Sequence, residues 1–147
     1  MKRNNTCVFP PSKKKIREEM NINELINEAI KAREHSYSPY SKFKVGAALR
    51  TRNGKIFTGC NIENSSYGLS ICAEREAIFK AISSGEKDLD TIAVVTDSDI
   101  LNTPCGACRQ VMWEFSKDIT IIAANLKGKK KEFKIKELLA YPFGRPK

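Results

Sequence analysis

Three cysteines with the spacing of metal ligands are the residues of this chain best suited to chemistry. Cys105 and Cys108 stand three positions apart at the expected start of a helix, where residues i and i+3 lie on one face. Cys72 stands at the start of another apolar helical stretch. Three thiolates supply three corners of the tetrahedron that Zn²⁺ prefers, and water can hold the fourth. The sequence therefore predicts a zinc site of the catalytic kind.

A closed, structural zinc site is the alternative. Such a site needs a fourth protein ligand and usually pairs two Cys-x-x-Cys units. The only histidine, His35, lies far upstream in a different helical stretch, and neither Cys7 nor Cys60 is spaced to complete the set. We expect Cys60 to be a small core residue instead, because free cysteine is usually buried.

Two charged residues follow Cys72 closely. Glu74 can reach the open coordination position, and a carboxylate there can take a proton from water and pass it to a leaving group. Three thiolates around Zn²⁺ sum to −1, so a positive group is expected nearby. Arg75 is the candidate: it either donates to the ligand sulfurs or, alternatively, faces solvent. Both cysteine motifs lie at predicted helix N-termini, where the helix dipole stabilises thiolates.

Composition narrows the class of protein. The 147 residues contain neither a membrane-length apolar run nor an apolar N-terminal leader, which predicts a cytoplasmic protein without membrane association. Five cysteines, an odd number, favour reduced thiols over disulfides. The net charge is +9, but residues 1–20 and 127–147 hold 14 of the 26 Lys and Arg, so we expect no nucleic-acid partner. We expect 1–20 to be a basic, poorly ordered extension and 21–147 to form one domain.

Alternating helix and strand signals place the cysteines in an α/β fold. Helical periodicity begins at about residue 21 and runs to His35, and a tight turn at Asn53-Gly54 joins two strand-like segments. The predicted strands are 43–49, 55–60, 91–95, 119–124 and 132–135; the later helices are 72–84, 105–116 and a short one beginning at Glu137. Strand, helix, strand, helix, strand implies parallel crossovers.

Several motifs together resemble the small zinc-dependent cytidine deaminases. The segments 72–75 and 104–110 carry the resemblance, 38–41, 43–49 and 59–64 strengthen it, and it covers roughly residues 22 to 144. It implies a three-layer α/β/α fold with a mixed five-stranded sheet and one Zn²⁺ per subunit. The implied reaction is the hydrolytic deamination of cytidine and deoxycytidine to uridine and deoxyuridine, with release of ammonia, in pyrimidine salvage. In this mechanism zinc-bound hydroxide attacks C4, and Glu74 shuttles the proton.

The resemblance also implies roles for residues around the metal. Asn61 and Glu63 match the pair that grips the ribose of a small-molecule nucleoside, and Phe43 matches a residue that packs on the ring. The backbone at Ala73 and Cys105 would hold the edge of the base. By itself, the loop 61–68 is either the rim of a ligand site or ordinary turn chemistry.

The family is typically a homotetramer whose sites are shared between subunits. Tyr67 and Phe143 match residues that one subunit lends to another. The tail differs from the usual Phe-Gly-Pro of the family, because Arg145 stands between Gly144 and Pro146. This difference bears on the contact that Phe143 makes.

Three other functions share part of this pattern. A deaminase with the same zinc site could act on another substrate, such as a blasticidin-type nucleoside antibiotic, although Asn61 and Glu63 favour a free nucleoside. A polynucleotide deaminase is the second alternative. These enzymes usually carry histidine at the position of Cys72, which argues against it. A zinc-stabilised interaction domain without catalysis would leave Glu74 dispensable.

Overall fold

The first helix is longer than its hydrophobic pattern predicts. The computed structural model describes residues 13–145, with side chains from residue 21 onward. Helix α1 spans Lys13–Arg33, so the predicted start at residue 21 is wrong. The run 13–20 is rich in Lys, Arg, Glu and Met, which are good helix formers, whereas apolar periodicity marks only the packed part of a helix. The remainder of the predicted extension, 1–12, lies outside the described residues, as does Cys7.

A mixed five-stranded sheet forms the centre of the molecule. The elements after α1 are β1 (Val45–Thr51), β2 (Ile56–Cys60), α2 (Ala73–Ser83), β3 (Leu89–Thr96), α3 (Gly106–Phe115), β4 (Thr120–Asn125), β5 (Lys130–Lys134) and α4 (Ile135–Leu138). The strand order is β2-β1-β3-β4-β5. β3 and β4 are parallel, and every other neighbouring pair is antiparallel. β2 and β3 run in the same direction on either side of β1, and β5 is an edge strand, as predicted.

Helices cover both faces of the sheet, which confirms the predicted three-layer fold. Successive strand residues point to opposite faces, so Ala48 packs under α1 while Leu49 packs under α2 and α3. Leu25 and Ala29 are the buried anchors of α1. The opposite layer holds a larger apolar cluster from α2, α3 and the sheet. No helix within residues 13–145 combines the length and apolar character that a membrane crossing requires.

A close approach between α2 and β2 sets the position of the first cysteine motif. A Cβ atom on Gly59 would lie 2.3 Å from the carbonyl oxygen of Ala73, so only glycine allows this packing. Ala73 is the first residue of α2, directly after Cys72. The glycine near the end of β2 therefore determines how closely the N-terminus of α2 sits on the sheet.

Candidate zinc centre and active-site cavity

Two helix N-termini bring the three predicted zinc ligands together. Cys72 occupies the N-cap position of α2, Cys105 occupies that of α3, and Cys108 lies in the first turn of α3. The Sγ atoms of Cys72 and Cys105 are 3.8 Å apart, those of Cys105 and Cys108 are 3.5 Å apart, and all three lie within 4.8 Å of one another. A tetrahedral Zn²⁺ with Zn–S bonds of about 2.3 Å places its sulfurs about 3.8 Å apart. The cluster can therefore hold one zinc ion.

The electrostatics of the cluster shift the pKa values of Cys72 and Cys108 in opposite directions. Hydrogen bonds from the Cys108 thiol and the Arg75 guanidinium outweigh burial and lower the pKa of Cys72 to about 5. The same hydrogen bond to Cys72, together with burial, raises the pKa of Cys108. The N-terminal ends of α2 and α3 add positive potential at the sulfurs. The surroundings thus stabilise negative charge on the sulfur of Cys72, whereas Cys108 has to lose its proton when a metal binds.

Arg75 lies against the cluster and supplies a direct test of its fit to zinc. Its Nη2 is 3.4 Å from the Sγ of Cys72. Its Nε is the one buried side-chain nitrogen or oxygen without a hydrogen-bond partner among the residues whose side chains are described. A buried cationic donor of this kind calls for negative charge nearby, which three thiolates around a divalent ion provide. The donor set and its surroundings fit zinc.

Glu74 combines burial with access to the cavity beside the cysteines. It is only 5% exposed, although carboxylates are rarely buried, and it lies on the cavity wall. Burial raises its pKa to about 7, and the negative charge of Cys72 contributes to the rise. A carboxyl group with a pKa near the working pH can both accept and donate a proton. This is the property that an acid/base group for hydrolysis needs.

The cavity next to the cysteines brings most of the predicted site residues together. Its volume is about 350 Å³, within the range of small-molecule sites. Seven predicted residues line it: Phe43, Asn61, Glu63, Cys72, Ala73, Glu74 and Cys105. The third cysteine, Cys108, is fully buried beneath it. The metal cluster thus borders a chamber with room for a small ligand.

Asn61 holds the segment that presents Phe43 to the cavity. Its Oδ1 accepts hydrogen bonds from the Ser36 hydroxyl at 2.5 Å and from the Val45 backbone N–H at 2.8 Å. Its Nδ2 donates to the Phe43 carbonyl at 2.7 Å. The amide group has a second N–H, which remains available to a ligand. Asn61 is therefore a structural part of the cavity wall as well as a candidate ligand contact.

Glu63 organises the adjoining loop. One carboxylate oxygen accepts from the backbone N–H groups of Tyr40 at 2.9 Å and Ser41 at 3.2 Å, and the other accepts from the Ser41 hydroxyl. These bonds, led by the one from the Ser41 hydroxyl, lower the pKa of Glu63. Lys42 has a φ of 58°, in the left-handed region that non-glycine residues rarely adopt. A strained residue next to Phe43 is typical of a ligand-contacting loop.

Two predicted residues lie away from the cavity of their own chain. Tyr67 is 74% exposed and packs edge-to-face on Tyr40, with ring centroids 5.7 Å apart. Phe143 is also 74% exposed. Its backbone N–H and carbonyl pair with the Gln110 side-chain amide at 3.1 and 2.9 Å, so the tail is anchored while the ring points outward.

The cavity also contains residues to which the sequence analysis gave no role. They are Ser41, Val45, Val94, Thr96, Asn102 and Thr103. Val94 and Thr96 lie near the carboxyl end of β3, and ligands of α/β proteins bind outside the carboxyl ends of strands. Asn102 and Thr103 come shortly before Cys105 in the chain. Their position at the end of β3 could have identified Val94 and Thr96, and their position just before the metal motif could have identified Asn102 and Thr103.

Comparison with known proteins identifies the family. Residues 20–124 match the family model described as "Cytidine and deoxycytidylate deaminase zinc-binding region". A cytidine deaminase from Halalkalibacterium halodurans is 52% identical over 120 residues, which cover 81% of this chain and 91% of that protein. The crystal structure of a cytidine deaminase from Burkholderia pseudomallei superposes with a TM-score of 0.80 at 46% identity, covering 82% of this chain and 98% of the other.

A relative with a different name is more distant. The blasticidin-S deaminase of Bacillus cereus is 34% identical over 113 residues, covering 71% of this chain and 80% of its own.

The family match contains all three cysteines and Glu74. With the sequence match, the fold and the three-sulfur cluster in agreement, the chain belongs to the cytidine and deoxycytidylate deaminase family of zinc-binding enzymes.

Proposed function

We propose that this chain catalyses the hydrolytic deamination of cytidine and deoxycytidine to uridine and deoxyuridine, with release of ammonia. The observation that carries the proposal is the three-sulfur cluster bordering a cavity whose wall includes the buried Glu74. The assignment to cytidine follows the family model and the cytidine deaminases to which the chain is similar. We further propose that the reaction serves pyrimidine salvage in the cytoplasm, where a reducing environment preserves free thiols.

The protein groups divide the chemistry between them. Cys72, Cys105 and Cys108 would hold Zn²⁺, which when bound lowers the pKa of a water molecule and so supplies the nucleophile. Glu74 would accept one proton from the attacking water and place it on N3 of the cytosine ring. It would then take the second proton from the hydroxyl on C4 and deliver it to the amine, which leaves as ammonia as the C4 carbonyl forms. Its pKa of about 7 suits both transfers. The Arg75 guanidinium offsets the excess negative charge of the three thiolates.

The remaining wall residues would orient the nucleoside. Phe43 would pack on the ring of the base, and the backbone at Ala73 and Cys105, in the same cavity wall, would hold its edge. Asn61 and Glu63, which also line the chamber, would bind the ribose. The free N–H of Asn61 and the free acceptor positions of the Glu63 carboxylate can serve this purpose.

A change at Glu63 tests the ribose contact. Glu63→Gln keeps the shape of the side chain but removes its charge, which weakens a hydrogen bond from the 3′-hydroxyl. We expect the wild-type enzyme to prefer cytidine over 3′-deoxycytidine by roughly 10- to 100-fold in kcat/KM, the value of one hydrogen bond to a charged group. The variant should lose most of that preference. Steady-state kinetics with both nucleosides measures it.

The comparison of two nucleosides separates ligand binding from loop support. Glu63→Gln also disturbs the bonds to Tyr40 and Ser41, and that effect slows both substrates alike. Ser41→Ala is the matched control, because it removes a loop contact of Glu63 and keeps the carboxylate. An unchanged preference for cytidine in Glu63→Gln would show that Glu63 only supports the loop.

The similarity to a blasticidin-S deaminase defines the test of substrate class. We expect kcat/KM for cytidine to exceed that for blasticidin S by at least about tenfold, since a site built to pair substrate hydroxyls discriminates against analogues that leave them unpaired. The zinc-loaded protein is assayed with each compound by loss of absorbance. A preference for blasticidin S would reassign the substrate and leave the metal chemistry in place.

We also propose a homotetramer whose subunits complete one another's cavities. Large side chains are exposed in the loop after β2 and in the tail, among them Tyr67, Leu69, Tyr141 and Phe143. Several large apolar side chains left exposed in one subunit favour an interface with another. Light scattering of the purified protein should give a mass four times the 16.5 kDa of one chain. A stable, active single chain would contradict this arrangement.

A further inference from the structure

Arg109 contacts three consecutive residues at the entrance to α3. Its Nη2 donates to the Thr103 hydroxyl at 2.8 Å, and its Nε donates to the Pro104 carbonyl at 2.7 Å. Its backbone N–H donates to the Cys105 carbonyl at 3.0 Å. The last of these is an ordinary backbone bond of the first helical turn, whereas the Arg109 side chain fixes Thr103 and Pro104, the two residues immediately before Cys105.

Cys105 is the zinc-ligand candidate with the least support from packing. Cys108 is fully buried in the apolar cluster, and Cys72 packs partly against that cluster and receives the Arg75 contact. Cys105 is exposed, and its side chain makes no capping bond to α3. Its position therefore depends on the backbone that leads into it, which the Arg109 side chain holds at Thr103 and Pro104.

The fourth contact of Arg109 connects this loop to the end of the fold. Nη1 donates to the carbonyl of Leu138 at 2.8 Å, and Leu138 is the last residue of α4. Arg109 itself is part-buried between the two segments. The guanidinium can bind the loop and the end of α4 at the same time because its donors project from a rigid planar fork, a geometry that lysine lacks.

We propose that Arg109 is a positioning residue that clamps Thr103 and Pro104 to the end of α4 and so fixes the Sγ of Cys105 within the metal site. The proposal rests on the zinc site of the proposed function. The same contacts also help to shape the cavity, because Thr103 lines it and Arg109 holds the Thr103 hydroxyl in place. The C-terminal helix thereby contributes to the geometry of a site that it does not enter.

The test compares metal binding in three variants. Arg109→Gln removes the forked contact, and Thr103→Val removes only one acceptor while keeping the side-chain shape. Arg52→Gln is the matched control, because Arg52 also joins separate segments, through Asp88 and Asp118, but does not line the cavity. The measurements are the rate at which zinc passes to a chromophoric chelator and the absorption spectrum of the Co²⁺-loaded protein.

We expect Arg109→Gln to release zinc at least about tenfold faster and to change the ligand-field bands of Co²⁺, because loss of a supporting contact typically costs 10- to 100-fold in metal affinity. Thr103→Val should change the rate of zinc release and the Co²⁺ spectrum in the same direction but by a smaller amount. Arg52→Gln should change neither the rate nor the spectrum. Arg109→Lys should rescue only part of the loss, since it keeps the charge without the fork.

Three outcomes would overturn the assignment. The first is a folded Arg109→Gln protein with wild-type zinc release and cobalt spectrum. The second is an equal change in Arg52→Gln, which would show a general effect on stability. If Arg109→Gln does not fold, unchanged values in Thr103→Val decide against the clamp. None of these readouts uses cytidine, so wild-type protein that holds zinc without deaminating cytidine would refute the proposed function alone.

Discussion

Glu74→Gln is expected to reduce kcat for cytidine by at least about 100-fold while zinc content and fold are preserved. Glutamine occupies the same volume and can still form hydrogen bonds, but it cannot take up and return a proton. The buried carboxyl group, whose pKa is raised to about 7, is the group that must do both. Steady-state kinetics, metal analysis and circular dichroism of the same sample measure the three quantities.

A second glutamate provides the control for this substitution. Glu114→Gln makes the same chemical change on an exposed part of α3, outside the cavity, and should leave kcat within about twofold of the wild type. If Glu74→Gln retained near-normal turnover, Glu74 would not be the acid/base group. The interaction-domain alternative, in which Glu74 is dispensable, would then regain support.

Cys105→Ala is expected to lower zinc content from one ion per chain to below about a tenth, because binding needs a complete set of deprotonated ligands. Turnover should fall with the metal. Since metal binding adds to folding stability, added zinc should raise the Tm of the wild type and leave that of the variant unchanged. Metal analysis by mass spectrometry and thermal unfolding with and without zinc provide the measurements.

Cys60→Ala is the matched control, because Cys60 is a free, buried cysteine outside the three-sulfur cluster. It should keep one zinc per chain, with a modest loss of stability from the smaller side chain. Zinc content that is normal in Cys105→Ala would remove Cys105 from the ligand set. Loss of zinc in both variants would instead indicate that the metal depends on global stability.

The metal site was predictable because its information is local. Helix geometry places Cys105 beside Cys108, and each cysteine motif begins a helix with a clear apolar pattern. The meeting of Cys72 with this pair depends on two helices starting at the same edge of one sheet, an arrangement with which the predicted parallel crossovers agree. The burial of Cys60, expected from residue type, is confirmed.

Contacts between segments that are distant in the chain could not be predicted from the sequence. The Arg109 bond to Leu138 joins residues 29 positions apart, and no spacing rule signals it. The engagement of Asn61 by Ser36 and Phe43 depends in the same way on how the loop folds back. The start of α1 was misplaced because apolar periodicity reports packing, whereas propensity alone extends the helix to Lys13. The exposure of the Phe143 and Tyr67 side chains also depends on tertiary packing, which no local pattern in the sequence indicates.

Conversion of cytidine by the purified, zinc-loaded full chain tests the central claim most directly. Loss of cytidine absorbance and release of ammonia are followed in the same sample, before and after the metal is removed with a chelator and restored with zinc. We expect one ammonia and one uridine per cytidine consumed, loss of activity without metal and recovery with zinc. Folded, zinc-loaded protein that leaves cytidine unchanged would contradict the assignment.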